Sequence, residues 1–287
     1  MDRAPQPAEG TASICVLASS SGGNCSVIVY HDRGRRRAML IDAGLSPRRT
    51  TKLLSEVGLK LHDVSDVFFT HLDTDHAHAG WRKPPRDFQA TIRMDRRQLG
   101  RAERSGLLYQ RCEPFSESDG AIELCPGVKF RTISLAHDEL GVAAFRFGFG
   151  TGDLGFATDL GRVTPKLIDE LSGVDVLAIE SNYCPAMQHA SERPDFLKRR
   201  IMDGSGHLSN EETADAVERI APREHAVFLH LSRECNRPEL VGSLYAGADH
   251  GFTIASHDTP TRWIPVKRSA PVPTAVTQGT LFGAQAP

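Results

Sequence analysis

Asp66-Val67-Phe68-Phe69-Thr70-His71-Leu72-Asp73-Thr74-Asp75-His76-Ala77-His78-Ala79-Gly80 is the stretch on which the fold turns. Val67, Phe68 and Phe69 form an apolar, β-prone run that reads as a buried strand. His71, Asp73, Asp75, His76 and His78 come directly after it. Imidazole and carboxylate together hold borderline and hard divalent cations. A solvated polar loop has no reason to gather so many such groups at the end of a core strand. The stretch is therefore read as a metal loop.

Working outward, other strands end the same way. Leu40-Ile41-Asp42-Ala43-Gly44 places an acid at a strand end, Val128 to Ala136 delivers His137, Leu154 to Ala157 delivers Asp159, and Ala226 to Leu229 delivers His230. In a layered α/β protein, strand ends on one side of the sheets converge, so these groups can meet in one cleft. A dinuclear centre takes two His/Asp sets and one bridging carboxylate, with its metals about 3.5–4 Å apart. The sequence supplies enough groups for that.

Further strands are expected over 13–18, 25–30, 38–41, 142–149, 174–179 and 252–255. Helices are expected over 47–57, 93–104, 164–171, 194–202, 209–220 and 238–245. Ser209 followed by Glu212 is a capping box that opens one of them. The small-residue loop Ser19-Ser20-Ser21-Gly22-Gly23-Asn24 lets backbone N–H groups approach an anion closely.

Composition bounds the answer. The 287 residues are 40% hydrophobic and 24% charged, enough for one sizeable core. With 34 basic and 36 acidic residues, no global field recruits nucleic acid, which leaves the local basic run Lys198-Arg199-Arg200. The cysteines form no C-x-x-C pair, residues 1–10 lack an apolar segment, and no apolar run reaches the roughly 18 residues of a membrane span. The expectation is a cytoplasmic protein with reduced thiols and no membrane partner. Its expected organisation is a disordered leader over 1–11, a single catalytic domain over 12–264 and a flexible tail over 265–287.

His71-x-Asp73-x-Asp75-His76, then His137, Asp159 and His230, resemble the metallo-β-lactamase fold hydrolases, whose signature is His-x-His-x-Asp-His followed by a His, an Asp and a last His. A narrower resemblance points to the YycJ/WalJ-like branch of DNA-processing nucleases. It is carried by Leu17 to Asn24, Leu40 to Gly44, Ala157 to Gly161, Glu180-Ser181-Asn182, Lys198 to Ile201, Gly206 to Glu211 and His230 to Arg233.

The resemblance implies an αββα sandwich and two divalent metal ions (Zn or Mn, with Fe as a further candidate). His71, Asp73 and His137 would hold one ion, Asp75, His76 and His230 the other, with Asp159 bridging. Asp73 replaces the usual second His. As a ligand it would harden the site and favour Mn²⁺ or Fe over Zn²⁺. His78 is the alternative source of the missing imidazole. The implied chemistry is hydrolysis by a metal-bridged hydroxide, with Asp75 as proton acceptor besides ligand.

The run Ser205 to Glu212 resembles a β-CASP nuclease motif whose His contacts the scissile phosphate. His207 takes that role, with Ser209, Asn210 and Arg199 as phosphate-binding candidates near a helix N-terminus. Gln278-Gly279-Thr280-Leu281-Phe282 resembles the peptide by which replication proteins dock on the sliding clamp, with Gln278, Leu281 and Phe282 as anchors. The sequence thus points to a metal-dependent phosphodiesterase, a DNA nuclease of repair or replication. The alternatives are a small-molecule (cyclic nucleotide-type) phosphodiesterase, a glyoxalase II-like thioester or lactone hydrolase, and an inactive metal-binding adaptor.

Overall fold

Val64–Phe69 is strand β4, and its side chains alternate between two cores: Val67 and Phe69 face one, Phe68 the other. A strand buried on both faces belongs in the middle of a layered protein. The computed structural model, which describes residues 3–6, 8, 10–107, 111–137 and 139–269, places it so.

Among the described residues two sheets face each other. The first holds β1 (Ala12–Ala18), β2 (Cys25–Asp32), β3 (Arg35–Ile41), β4, β5 (Thr91–Met94) and β13 (Ile264–Val266), in the order β13-β1-β2-β3-β4-β5. The second holds β6 (Ile122–Cys125), β7 (Val128–Leu135), β8 (Val142–Phe149), β9 (Gly152–Ala157), β10 (Val176–Glu180), β11 (His225–Leu229) and β12 (Gly251–Ile254), in the order β12-β11-β10-β9-β8-β7-β6. Helices α1 (Pro47–Glu56) and α2 (Leu99–Ser105) cover the first sheet through Leu53, Leu54 and Ala102. Helices α3 (Pro165–Leu171), α6 (Asn210–Ile220) and α7 (Pro238–Leu244) cover the second through Leu167, Val217, Ile220 and Val241. Two short helices, α4 (Pro185–Ala190) and α5 (Asp195–Met202), come after β10. The result is the αββα sandwich implied by the sequence.

The seam between the sheets is aromatic. Phe68 meets Phe130, Phe145 and Phe147 edge to face, at centroid distances of 4.9, 5.6 and 5.2 Å. Such pairs add about 0.5–1.5 kcal/mol each beyond the apolar area they bury. The strand that leads into the metal ligands is thereby clamped to the opposite sheet.

Strand direction positions the chemistry. β3 and β4 run parallel, as do β9, β10 and β11, and β7 is antiparallel to β8, which is antiparallel to β9. The C-terminal ends of β7, β9, β10 and β11 therefore open on one edge.

Three local expectations need correction. Arg93–Arg104 is not one helix. Ile92 and Met94 are buried while Thr91 and Arg93 are half-buried, the alternation of β5, and α2 begins only at Leu99. Arg93 pairs with Asp66 at 2.6 Å and Glu113 at 2.7 Å, so its charge serves the sheet. Pro265 and Val266, expected in a flexible tail, lie in β13 on β1, an edge position where a missing N–H does little harm. Within the expected leader, Ala4 is buried and its N–H donates to Val57 O at 2.7 Å. The clamp-like peptide of Gln278, Leu281 and Phe282 lies outside the described residues. No helix among the described residues is long and apolar enough to cross a membrane.

Candidate metal centre

Asp42, Asp159 and His230 each stand just past the end of a strand and take left-handed backbone conformations, with φ of 60°, 54° and 54°. For a non-glycine residue this costs about 1–3 kcal/mol and persists only where surroundings enforce it. Here they do. Asp42 Oδ2 accepts from His76 Nδ1 at 2.7 Å, and its carboxylate also accepts from the Thr70 N–H and hydroxyl. Asp159 Oδ2 meets His230 Nδ1 at 3.0 Å, His76 Nε2 at 3.0 Å and the Thr158 hydroxyl at 2.8 Å. The His230 N–H donates to Ser19 Oγ at 2.8 Å.

The ligand-capable atoms of His71, Asp73 and His137 lie within 4.8 Å of one another, as do those of Asp75, His76 and His230. Asp159 lies within the same distance of His71 and His76, and of His207 and His230. Both triads expected from the sequence thus come together, with Asp159 between them. His78 does not join them: its Nδ1 accepts from the Gly80 N–H at 2.9 Å and caps a short turn. Asp73 is half-exposed, and its Oδ1 accepts from Arg101 Nη2 at 2.7 Å while Oδ2 lies 3.8 Å from His71 Nε2.

This donor set fits divalent metal ions. Imidazole and carboxylate suit such cations, and His137 Nδ1 is buried with no hydrogen-bond partner among the described residues. An orphaned buried nitrogen beside a carboxylate calls for a partner that protein atoms do not supply. The electrostatics of His71 agree. Burial, reinforced by the neighbouring His76, holds the His71 imidazole well below its ordinary pKa, in the neutral form that ligates. Burial opposes charge on His76, but the Asp159 and Asp42 carboxylates on either side outweigh it and hold His76 well above its ordinary value. Asp159 is held well below its own, because His230 and His76 outweigh its burial.

His207 lines a cleft of about 740 Å³ with Asp73, Asp75, His137, Asp159 and His230. Its Nδ1 lies 3.1 Å from Glu180 Oε2 and 3.7 Å from Asp159 Oδ1. Burial works against its charge, but the hydrogen bond and charge of Glu180, with Asp159 and Asp75 behind, push it up to about 9.

Ser209 and Asn210 stand differently from expectation. Both are buried: Ser209 closes the capping box with Glu212, and Asn210 is spent on Ser181 and Asn236. A helix start whose polar side chains face inward leaves them nothing for a phosphate. On α5 it is Arg200, not Arg199, that lines the cleft, and Lys198 Nζ is tied to His189 O at 2.8 Å. Asn24 braces the metal loop, its amide lying 3.1 Å from His76 Nε2 and donating to Asp75 O.

Glu180 is a site residue that sequence reasoning misses. Fully buried at the end of β10, it accepts from the Leu160 N–H at 2.6 Å and the Leu208 N–H at 3.2 Å besides holding His207. It fixes the loops after Asp159 and around His207 to each other. The available signal was its place, an acid ending an apolar run, the same signal that marks Asp42 and Asp159.

Comparison with known proteins agrees with this architecture. Exodeoxyribonuclease WalJ of Streptococcus pneumoniae is 28% identical over 266 residues, covering 86% of this chain and 95% of that protein. Exodeoxyribonuclease YycJ of Bacillus anthracis is 27% identical over 227 residues, covering 78% and 84%. The metallo-β-lactamase fold protein YhfI of Bacillus subtilis superposes with a TM-score of 0.64 at 14% identity, over 87% of this chain and 99% of that one. Zn²⁺-bound PqqB of Methylobacterium extorquens does so with a TM-score of 0.65 at 15% identity and the same coverage. These two likenesses establish the fold alone. The family described as "Beta-lactamase superfamily domain" matches residues 37–231. With more than half its length matched, the chain belongs to the β-lactamase superfamily.

Proposed function

We propose that this protein is a metal-dependent DNA exonuclease that acts in DNA repair or replication in the cytoplasm. The observation that carries the reading is His207. Its imidazole stands 3.7 Å from Asp159, held by Glu180 on the wall of a cleft that Arg200 also lines. The ligand triads suit any hydrolase of the superfamily, but an imidazole and the Arg200 guanidinium beside them suit a phosphodiester. The similarity to two exodeoxyribonucleases over most of the chain supports DNA as the substrate.

His71, Asp73 and His137 would hold one ion, Asp75, His76 and His230 a second, with Asp159 shared. The ions, Mn²⁺ being favoured over Zn²⁺ by the carboxylate at position 73, would supply hydroxide near neutral pH and Lewis acidity at the phosphorus. The protein's own residues do the rest. His207 offsets charge developing on the phosphate oxygens, and Glu180 fixes its ring. Asp75, half-buried at the cleft wall, would accept a proton. The Gln278-Leu281-Phe282 peptide fits recruitment to the sliding clamp.

A substrate panel tests this reading. With Mn²⁺, the protein is expected to release nucleotides from DNA ends. His207→Ala is expected to lower kcat about 10²–10³-fold, with bound metal unchanged by elemental analysis. Turnover of bis-p-nitrophenyl phosphate with every DNA left intact would assign a small phosphodiester instead. Thioester hydrolysis alone would assign a glyoxalase-like enzyme.

A further inference from the structure

α5 alone among the described α-helices has no buried residue. It is nonetheless fixed in place. Gly206, in the loop after it, has no room for a side chain against Ile201 and the Arg200 carbonyl, and the His207 N–H donates to Ile201 O at 3.0 Å. The helix is thus coupled through one short loop to the residue that would face the phosphate.

Leu197, Arg200 and Ile201 line the cleft, a face set by helical spacing. Phe196, the residue before Leu197, is 68% exposed, the most exposed large hydrophobic among the described residues. Arg199 and Arg200, three and four positions on, flank it on the helix surface. Neither has an ion-pair partner among the described residues, whereas Lys198 is held by His189 O and Arg193 by Glu234 at 2.8 Å. A stacking surface with cations on its flank is how single strands are held, since every base has a π face and every link a phosphate.

We propose that α5 is a landing platform for the unpaired end of a DNA strand. One base stacks on Phe196 while Arg199 and Arg200 take the flanking phosphates, and the strand continues past Arg200 to His207. This rests on the nuclease reading and adds to it a strand-binding subsite outside the metal centre.

Steady-state kinetics of the Mn²⁺-loaded full-length protein test it, with a single-stranded oligonucleotide and bis-p-nitrophenyl phosphate as paired substrates. Phe196→Ala is expected to raise the oligonucleotide KM roughly tenfold with kcat little changed, and Phe196→Tyr to restore it. The ratio of specificity for oligonucleotide over the small diester should fall by the same factor. An unchanged KM in Phe196→Ala, with wild-type protein degrading DNA, overturns the platform and leaves the nuclease reading intact. If that variant instead loses a wild-type self-association in sedimentation, the patch is a protein interface and the platform is equally overturned. Wild-type protein that cleaves no DNA overturns the underlying reading itself.

Discussion

Asp42 is buried and does not line the cleft at His207, yet it braces the metal loop. It sits in a left-handed conformation with its N–H on Phe68 O at 2.8 Å, so the ladder from β4 stops there and its carboxylate turns to His76 Nδ1. A carboxylate on one imidazole nitrogen presents the other to a metal in a fixed direction, and losing it costs about 10–100-fold in affinity. Asn accepts the left-handed backbone well, so Asp42→Asn keeps the fold and removes the charge. It is expected to weaken Mn²⁺ or Zn²⁺ binding about tenfold in isothermal titration, and unchanged affinity would show that Asp42 is only a strand-end brace. At this scale the sequence was legible: residue type and strand-end position were enough to single out His71, Asp75, His76, His137, Asp159 and His230, whose ligand-capable atoms the structure brings close together. It was less legible where polar side chains have two uses. Ser209 and Asn210 could serve a phosphate or the interior, and only the packing of α6 against Ser181 and Asn236 decides for the interior.

At the scale of elements, alternation and capping marked most strands and helices, because each signal is local. β13 escaped because three residues containing a proline carry no period of their own, and their pairing with β1 joins positions far apart in the chain. The segment just past β13 is tied down by Asp175, whose fully buried carboxylate accepts from Arg268 Nε at 3.1 Å and the Asp153 N–H at 2.8 Å. Burial works against that charge, but Arg268 and the Asp153 N–H outweigh it and hold the carboxyl below its ordinary value. A depressed carboxyl stabilises the fold above its unfolded pKa, near 4, and the benefit disappears as pH falls through the folded value. Asp175→Asn is therefore expected to cost about 1–3 kcal/mol at pH 7. In urea titrations the gap from wild type should narrow below about pH 4. A gap that stays constant from pH 7 to pH 3 would contradict this account of the C-terminal anchor.

At the scale of the whole molecule, two sheets clamped by the phenylalanines around Phe68 bring strand ends from far apart in the chain to one edge. Topology, not any single motif, makes the site. The sequence could count candidate ligands, but whether they converge depends on strand direction and sheet order. Arg101 lay equally out of reach: nothing local ties it to Asp73, and with their ion pair a metal held by the first triad would compete with a guanidinium. The central claim is that His71, Asp73, Asp75, His76, His137, Asp159 and His230 would hold two metal ions for the hydrolysis of DNA. The most direct test titrates metal-stripped protein with Mn²⁺ while recording bound metal and the rate of nucleotide release from DNA together. The account predicts that the rate appears as the second equivalent binds, and that Asp159→Ala binds less metal and releases no nucleotide. Full activity at one equivalent, or DNA left intact with both ions bound, would contradict it.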